Sequence, residues 1–330
     1  MVRTIGADAA PAWSPGWQVQ SGQSGDVDEH AARLSRWRQQ YDQLSAGAFR
    51  GQLDQVWTDA AQVFRERSNQ ALRQRCETWP DAVWCGITAA RDGSRIDGRE
   101  VGDDGVMVWH RAAPFELVSP VGHDILGIVV SRAELERHAA ALGVPLPWPL
   151  LDRSPWLEVQ APRRRHAQAR LRAILALSAA AGAAHHDAAA ARDSLRQAML
   201  DVLTDLLARP LAPLDDRSNA TARRRLVQRV HEWTQAHPDA VPNVPDLCAQ
   251  LHVSRRTLQY AFESAVAMSP KAYLRSIRLN GVRRALRQAQ PGSLSVQEAA
   301  ARWGFWNLSQ FAHDYRHQFG ERPSDTLSLG

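Results

Sequence analysis

Over the last third of the chain, apolar residues recur at helical spacing in two matched sets. Leu247 and Leu251 mark one short helix, Leu258 and Phe262 a second, and His252-Val253-Ser254 reads as the turn between them. Ser254 is placed to cap the second helix, and His252 tolerates the left-handed backbone that such a turn requires. The pattern returns from Ser295 to Phe319. Ser295-x-x-Glu298 is a capping box, Gly304 supplies a positive φ, and Phe311 with Tyr315 repeat the Leu258/Phe262 spacing. Ser269-Pro270 opens an amphipathic helix between the two units, with Tyr273, Ile277 and Val282 or Leu286 on its apolar face. It predicts a rigid connector fixing their separation. An earlier helix over 222–236, with Leu226, Val230 and Trp233 in register, completes the first three-helix core.

Farther upstream the period changes. Short β-like runs separated by turn residues fall at Phe49–Trp57, Gln62–Ser68, Trp84–Thr88, Val106–His110, Phe115–Ser119 and Asp124–Val130, with Asp92-Gly93 and Asp103-Asp104-Gly105 as turns. Such a series without intervening helices predicts a small barrel or jelly roll. Residues 1–28 read as a poorly ordered start, and Asp28–Tyr41 as a short helix. After the strands come helices at Ser131–Leu142, Arg163–Ala180 and Ala191–Ala208. The last carries a wide stripe of Leu195, Met199, Val202, Leu203, Leu206 and Leu207 that must be covered by the barrel or by a second subunit. His185-His186 reads as a solvated turn, and 210–219 (PLAPLDDRSN) as an interdomain linker.

Charge sharpens the division. From Thr221 to Gly330 there are fifteen Lys and Arg against eight Asp and Glu, a net of +7 in a chain of +5, which leaves −2 for the first 220 residues. The basicity is local to the paired helical units, as DNA contact requires. Arginine count alone decides little, because Lys271 is the only lysine among forty basic residues. Three cysteines, Cys76, Cys85 and Cys248, form no CxxC pair and fit a reducing cytoplasm. No apolar run is long enough to span a membrane, and no secretion signal opens the chain.

The segments LCAQLHVSRRTLQYAF, SPKAYLRSIRLNGVRRAL and AARWGFWNLSQFAHDYRHQFGERPSDTL together resemble the DNA-binding domain of the AraC/XylS family of transcription regulators, over roughly residues 220 to 327. The resemblance implies two recognition helices entering successive major grooves about one helical turn apart. On the first, Arg256, Gln259 and Tyr260 take base-reading positions; on the second, Leu308, Ser309, Gln310 and His313 do. Arginine suits guanine and glutamine adenine. Leu308 stands where a polar reader is common and suits a thymine methyl, while His252 replaces the usual small residue of the first turn. Arg255, Arg278, Arg302 and Arg316 are assigned to phosphates. The stretch QLSAGAFRGQLDQVWTDAAQVFRERSNQAL is similar to N-terminal regions of ethanolamine-operon-type activators.

The expectation is therefore an α+β chain. Residues 1–30 form a poorly ordered N-terminus, 31–209 a cupin-like β-barrel or jelly-roll sensor with a helical dimerisation pair, 210–219 the linker, and 220–330 an all-α double helix-turn-helix domain. Expected partners are double-stranded DNA, a small-molecule effector, a second copy of the chain and, by resemblance, RNA polymerase. Trp57, Trp84 and Trp109 could enclose an effector, with Arg65, Arg67 and His110 addressing a carboxylate or hydroxyl. No cofactor, metal site or catalytic residue is expected: His110, His123 and Glu116 are too scattered for a metal-binding cupin, and phosphate-loop and dinucleotide fingerprints are absent. Two alternatives stay open, a cupin-type enzyme tethered to DNA and a nonspecific architectural DNA binder.

Overall fold

The computed structural model describes residues 17–88, 93–181, 188–208, 217–240 and 242–329. The His185-His186 pair, Asp92 and most of the expected linker lie outside the described residues. In chain order the first elements are β1 (Gln18–Ser24), α1 (Val27–Arg33), β2 (Arg38–Gln43), β3 (Gly51–Trp57), β4 (Ala61–Ser68), β5 (Leu72–Glu77), β6 (Ala82–Thr88), β7 (Arg95–Ile96), β8 (Arg99–Glu100), β9 (Gly105–Trp109), β10 (Phe115–Ser119) and β11 (His123–Ser131). Then follow α2 (Arg132–Ala141), α3 (Trp148–Leu151), β12 (Trp156–Glu158), α4 (Ala161–Ala181) and α5 (Ala188–Leu207). The rest is helical: α6 (Arg217–Ala236), α7 (Val244–Leu251), α8 (Arg255–Val266), α9 (Pro270–Arg287), α10 (Val296–Arg302), α11 (Leu308–Phe319) and α12 (Pro323–Ser328).

Two antiparallel sheets form, one in the order β1-β3-β4-β11-β6-β9-β12 and one in the order β2-β5-β10-β7-β8. Both are open, so the closed barrel expected from the strand series does not form; the strands divide into two sheets instead. Alternation along each strand explains the layering. Phe64, Trp84, Met107 and Ile125 of the larger sheet meet Cys76, Ile96, Phe115 and Leu117 of the smaller in one core. On the other face of the larger sheet, Val63, Val83, Val108 and Ile128 bury against Leu171, Met199, Leu203 and Leu206 of α4 and α5. The wide stripe of α5 is thus covered within the chain by the sheet it follows, not left for a second subunit.

The outer face of the smaller sheet carries the C-terminal helices. Val118 of β10 and Leu44, just after β2, join Leu226, Val230 and Tyr273 in a shared cluster. Around this cluster lies a polar seam. Asn280 Nδ2 of α9 donates to the Gln43 carbonyl at 2.9 Å and its Oδ1 accepts from Gln43 N at 3.0 Å. Arg283 reaches Asp26 at 2.5 Å, and Arg284 reaches Asp42 at 2.5 Å and Asp28 at 3.2 Å. Burial pushes the Asp42 carboxyl up, but the Arg284 guanidinium, with that of Arg73, outweighs it and holds its pKa below the ordinary value. The result is a stack of helices, sheet, sheet and helices.

The first 45 residues differ most from the sequence expectation. The helix predicted over 28–41 stops at Arg33, because Arg36 takes a φ of +67° and the chain turns into β2. Gln18–Ser24, expected to be poorly ordered, pairs with β3 over its whole length.

Candidate nucleic-acid interface

Each helical unit is built on local chemistry. In the first, Asn243 and Asp246 form a capping box at the start of α7. His252 sits in the left-handed region at φ 53°, ψ 44°, and the Ser254 hydroxyl accepts from Thr257 N at 3.0 Å to start α8. Leu258 and Phe262 are fully buried, so 100° per residue carries Arg255, Arg256 and Tyr260 to the exposed side and leaves Gln259 half-buried. Tyr260 is 59% exposed, with the Arg223 guanidinium 5.0 Å above its ring. Gln259 Nε2 donates to Glu263 at 2.7 Å.

In the second unit, Ser295 and Glu298 close their capping box. The bonds that Glu298 accepts from Ser295 N–H and hydroxyl lower its pKa. Gly304 has φ 68°, and Phe305 N donates to Ala300 O at 2.9 Å across the turn. The Asn307 side chain caps α11 by accepting from Gln310 N at 3.0 Å. Phe311, Tyr315 and Phe319 stack into the core, leaving Leu308, Ser309, Gln310 and His313 exposed. Gln310 Nε2 donates to Asp314 at 2.7 Å, the counterpart of the Gln259–Glu263 bond.

The connector unites the two. Tyr273, Leu274 and Ile277 of α9 belong to the first core, and Leu279, Val282 and Leu286 to the second. One helix embedded in both cores leaves little freedom in the separation of α8 and α11. The side chains of Arg256, Tyr260, Ser309 and His313 stay exposed, while the smaller sheet meets α8 through Arg95, which donates to the Ser264 carbonyl at 2.9 Å.

Comparison with known proteins agrees with this geometry. Residues 247–328 match the family described as Helix-turn-helix domain. The chain is 30% identical over 155 residues to the regulatory protein HrpB of Ralstonia nicotianae, covering 45% of this chain and 32% of that protein. It is 40% identical over 75 residues to the XylDLEGF operon transcriptional activator of Pseudomonas putida, covering 23% of each. Among solved structures, a probable AraC family transcriptional regulator from Rhodopseudomonas palustris is 35% identical, covers 32% of this chain and 95% of that one, and gives a TM-score of 0.29. The chain spans less than two thirds of the length of the curated relatives it matches first. Residues 247–328 are an AraC-type helix-turn-helix domain.

Within the AraC-type domain, three of the four arginines assigned to phosphates, Arg255, Arg302 and Arg316, are exposed. Arg278 is not. It is 8% exposed, donates to the Trp303 carbonyl at 2.7 Å and lies 4.3 Å from the Phe305 ring, and burial pulls its pKa down to about 10. Its place is to brace the second turn from behind, because α9 faces inward there. A residue the sequence reading passed over is Trp306, 73% exposed between the turn and the Asn307 cap. A bulky aromatic directly before a recognition helix is the signal that could have found it.

The proposed effector residues do not converge. Trp84 and Trp109 fill the inter-sheet core around Phe115, with Trp84 stacked on it at 4.8 Å. Arg65 and Arg67 alternate with Phe64 and Glu66, so they leave by the other face of β4 and pair with Asp124 at 2.5 Å and Asp54 at 3.3 Å. His110 lies near Asp152 at 3.5 Å and against Trp148, its pKa lowered by burial. Trp57 sits half-buried at the end of β3.

What the strand alternation does bring inward is Glu66. Its carboxylate accepts from Tyr41 OH at 2.8 Å and lies 3.1 Å from His30 Nε2. Burial raises its pKa, but the bonds and charge of His30 outweigh that and the net shift is downward. Close by, the ends of β1, β3, β4 and β11 open a cleft of about 740 Å³ bordered by Ser24, Arg50, Ser68, Asn69 and His123, and by Arg67, alone of the expected effector residues. Cys76 and Cys85 are buried free thiols whose pKa burial pushes well up. Among the described residues no three His, Cys, Asp or Glu side chains group to hold a metal ion, and no helix is long and apolar enough to cross a membrane.

Proposed function

We propose that this chain is a cytoplasmic, sequence-specific DNA-binding transcription regulator, an activator that reads two successive major grooves. The observation that carries the reading is the pair of capped units joined through α9, each presenting an unobstructed polar helix face. Arg256, Gln259 and Tyr260 would read one groove and Leu308, Ser309, Gln310 and His313 the other, with Arg255, Arg302 and Arg316 on phosphates; Trp306 joins Leu308 as an apolar contact for a thymine methyl. To read adenine with both amide atoms, Gln259 and Gln310 would exchange their bonds to Glu263 and Asp314 for bonds to the base.

The two-sheet unit serves as the sensor, of cupin-like ancestry. Its polar cleft beside Glu66 and His123, not the tryptophan core, suits a small hydroxylated or carboxylate effector. RNA polymerase is the partner an activator needs. A homodimer would use the outward flank of α4, where Leu177 is 70% exposed, since the stripe of α5 is already covered.

The test is selection from random duplex DNA with the full chain at near-physiological salt, wild type beside Arg256→Ala. Recovery of two half-elements about ten base pairs apart, one of them relaxed by the substitution, is expected. Recovery of unrelated sequences, with binding that depends on salt alone, would identify an architectural DNA binder instead.

A further inference from the structure

Across the seam between the smaller sheet and α6, arginines face arginines. The outward residues of β5 are Arg73 and Arg75; the facing helix brings Arg224, Arg225 and Gln228. They border one cleft of about 180 Å³, which Pro114, Phe115 and Glu116 also line. Nearby carboxylates are already taken. Glu116, the cross-strand neighbour of Arg75, is paired with Arg73, and Asp97 is paired with Arg224 at 2.9 Å. Arg75 and Arg225 are both exposed, and among the described residues neither makes an ion pair. Burial, and then the charges of Arg73, Arg284 and Arg75 against the opposite pull of Asp42, lower the pKa of His231 beside the cleft.

The pairs with Asp97, Asp42 and Glu116 neutralise the other seam arginines, which leaves Arg75 and Arg225 as like charges on two sides of one cleft, with room between them for something of the other sign. We propose that this cleft binds a compact free oxyanion, of phosphate or carboxylate type, held between Arg75 of the sheet and Arg225 of α6. The volume suits such an ion better than a drug-sized molecule, whose pockets run from about 300 to 1,000 Å³. Guanidinium groups recognise planar or tetrahedral oxyanions through paired N–H bonds. Because one arginine comes from each side, the bound anion stabilises the docked arrangement of sheet and DNA-binding helices over any separated one. The site is independent of how the domain reads DNA.

Inorganic phosphate is the probe, titrated into the full chain by calorimetry at pH 7 and constant ionic strength, with chloride replaced. Arg75→Gln and Arg225→Gln are each expected to weaken binding at least tenfold. Arg38→Gln, at a side chain 85% exposed and bordering a different cleft, is expected to keep wild-type affinity. Thermal midpoints in phosphate supply a second readout, since a general salt effect raises all four proteins alike and a bound ion raises only wild type and Arg38→Gln. Equal affinity in all four proteins overturns the proposal. So does a parallel tenfold loss of duplex DNA binding in the two seam variants, which would assign these arginines to the DNA backbone.

Discussion

Lowering the pH from 7 to 5 is expected to weaken the seam through one side chain, His231. Its ring lies between two partners: Arg73 Nη1 at 3.1 Å from Nε2 and Tyr273 OH at 3.1 Å from Nδ1. Arginine cannot accept, so Nε2 must accept, and in the neutral ring Nδ1 carries the proton and donates to the Tyr273 oxygen. Protonating Nε2 would set N–H against N–H and a cation against Arg73. Burial, then Arg73, accordingly pull the pKa down to about 3. A histidine depressed in the folded state stabilises fully above its unfolded pKa, about 6.5, and loses that stability as the pH falls from there towards 3. Integrating from pH 7 to 5 gives a loss of roughly 2 kcal/mol from this residue. Other groups whose folded pKa is shifted, the raised Asp28 and Asp97 and the lowered His110, are present in both proteins and cancel in a comparison with a variant at His231. The assay is urea denaturation followed by circular dichroism at both pH values, for wild type and His231→Gln. Glutamine retains an acceptor for Arg73 but does not titrate, so any fixed cost of the substitution cancels in the difference between pH values. Wild type is expected to lose about 2 kcal/mol more than the variant; equal losses would refute the reasoning.

Three further outcomes follow from the packing. Gly281→Ala would put a Cβ 2.2 Å from the Trp303 ring; the clash, worth about 1–3 kcal/mol, is expected to exceed the roughly 1 kcal/mol that alanine gains in a helix, lowering the melting temperature. Arg284→Ala leaves Asp42, 1% exposed, with only Arg73 at 3.5 Å, and is expected to cost about 3 kcal/mol by denaturant titration; less than about 1 would mean a solvated seam. Arg302→Ala is expected to weaken DNA binding evenly across sequences and to reduce the slope of log affinity against log salt by about one, whereas sequence-dependent loss would make Arg302 a base reader.

The units that could be read from sequence are those whose causes are local. Ser254 caps within three residues, His252 and Gly304 take positive φ for their own turns, and Phe311 and Tyr315 are neighbours on one helix. What escaped depends on distant partners. β1, with the sequence QVQSGQS, has no apolar alternation and is a strand because β3 pairs with it from Gln18↔Trp57 to Ser24↔Gly51. Arg-Gln-Gln-Tyr at 38–41 has ordinary helix formers, yet β5 captures it as β2. Arg278 looks like any basic helix residue until α9 is seen to turn that face towards Trp303. Arg67 borders the cleft at the strand ends, but neither it nor Arg65 joins the tryptophans, for a reason that was legible. In FRERS, alternation sends Glu66 inward and both arginines outward.

The seam bears on how a sensor could act here. Ser276, Asn280 and Arg284 of α9 bind the smaller sheet and Arg283 binds Asp26 at the start of α1, while other faces of the same helix complete the cores beneath α8 and α11. A separation of the sheet from α9 would leave the buried Asp42 with Arg73 alone and take Asp42 from Arg284, so an intermediate degree of opening is costly and two discrete arrangements are favoured over a continuum. An effector in the cleft beside Glu66 would shift that balance only by the difference in its affinity for the two arrangements. α1 is the shortest path for such a difference: His30 contacts Glu66 at one side of it, and Asp26 and Asp28 at its start hold Arg283 and Arg284. A displacement of His30 by ligand would therefore be felt first by the two arginines that tie the connector to the sheet.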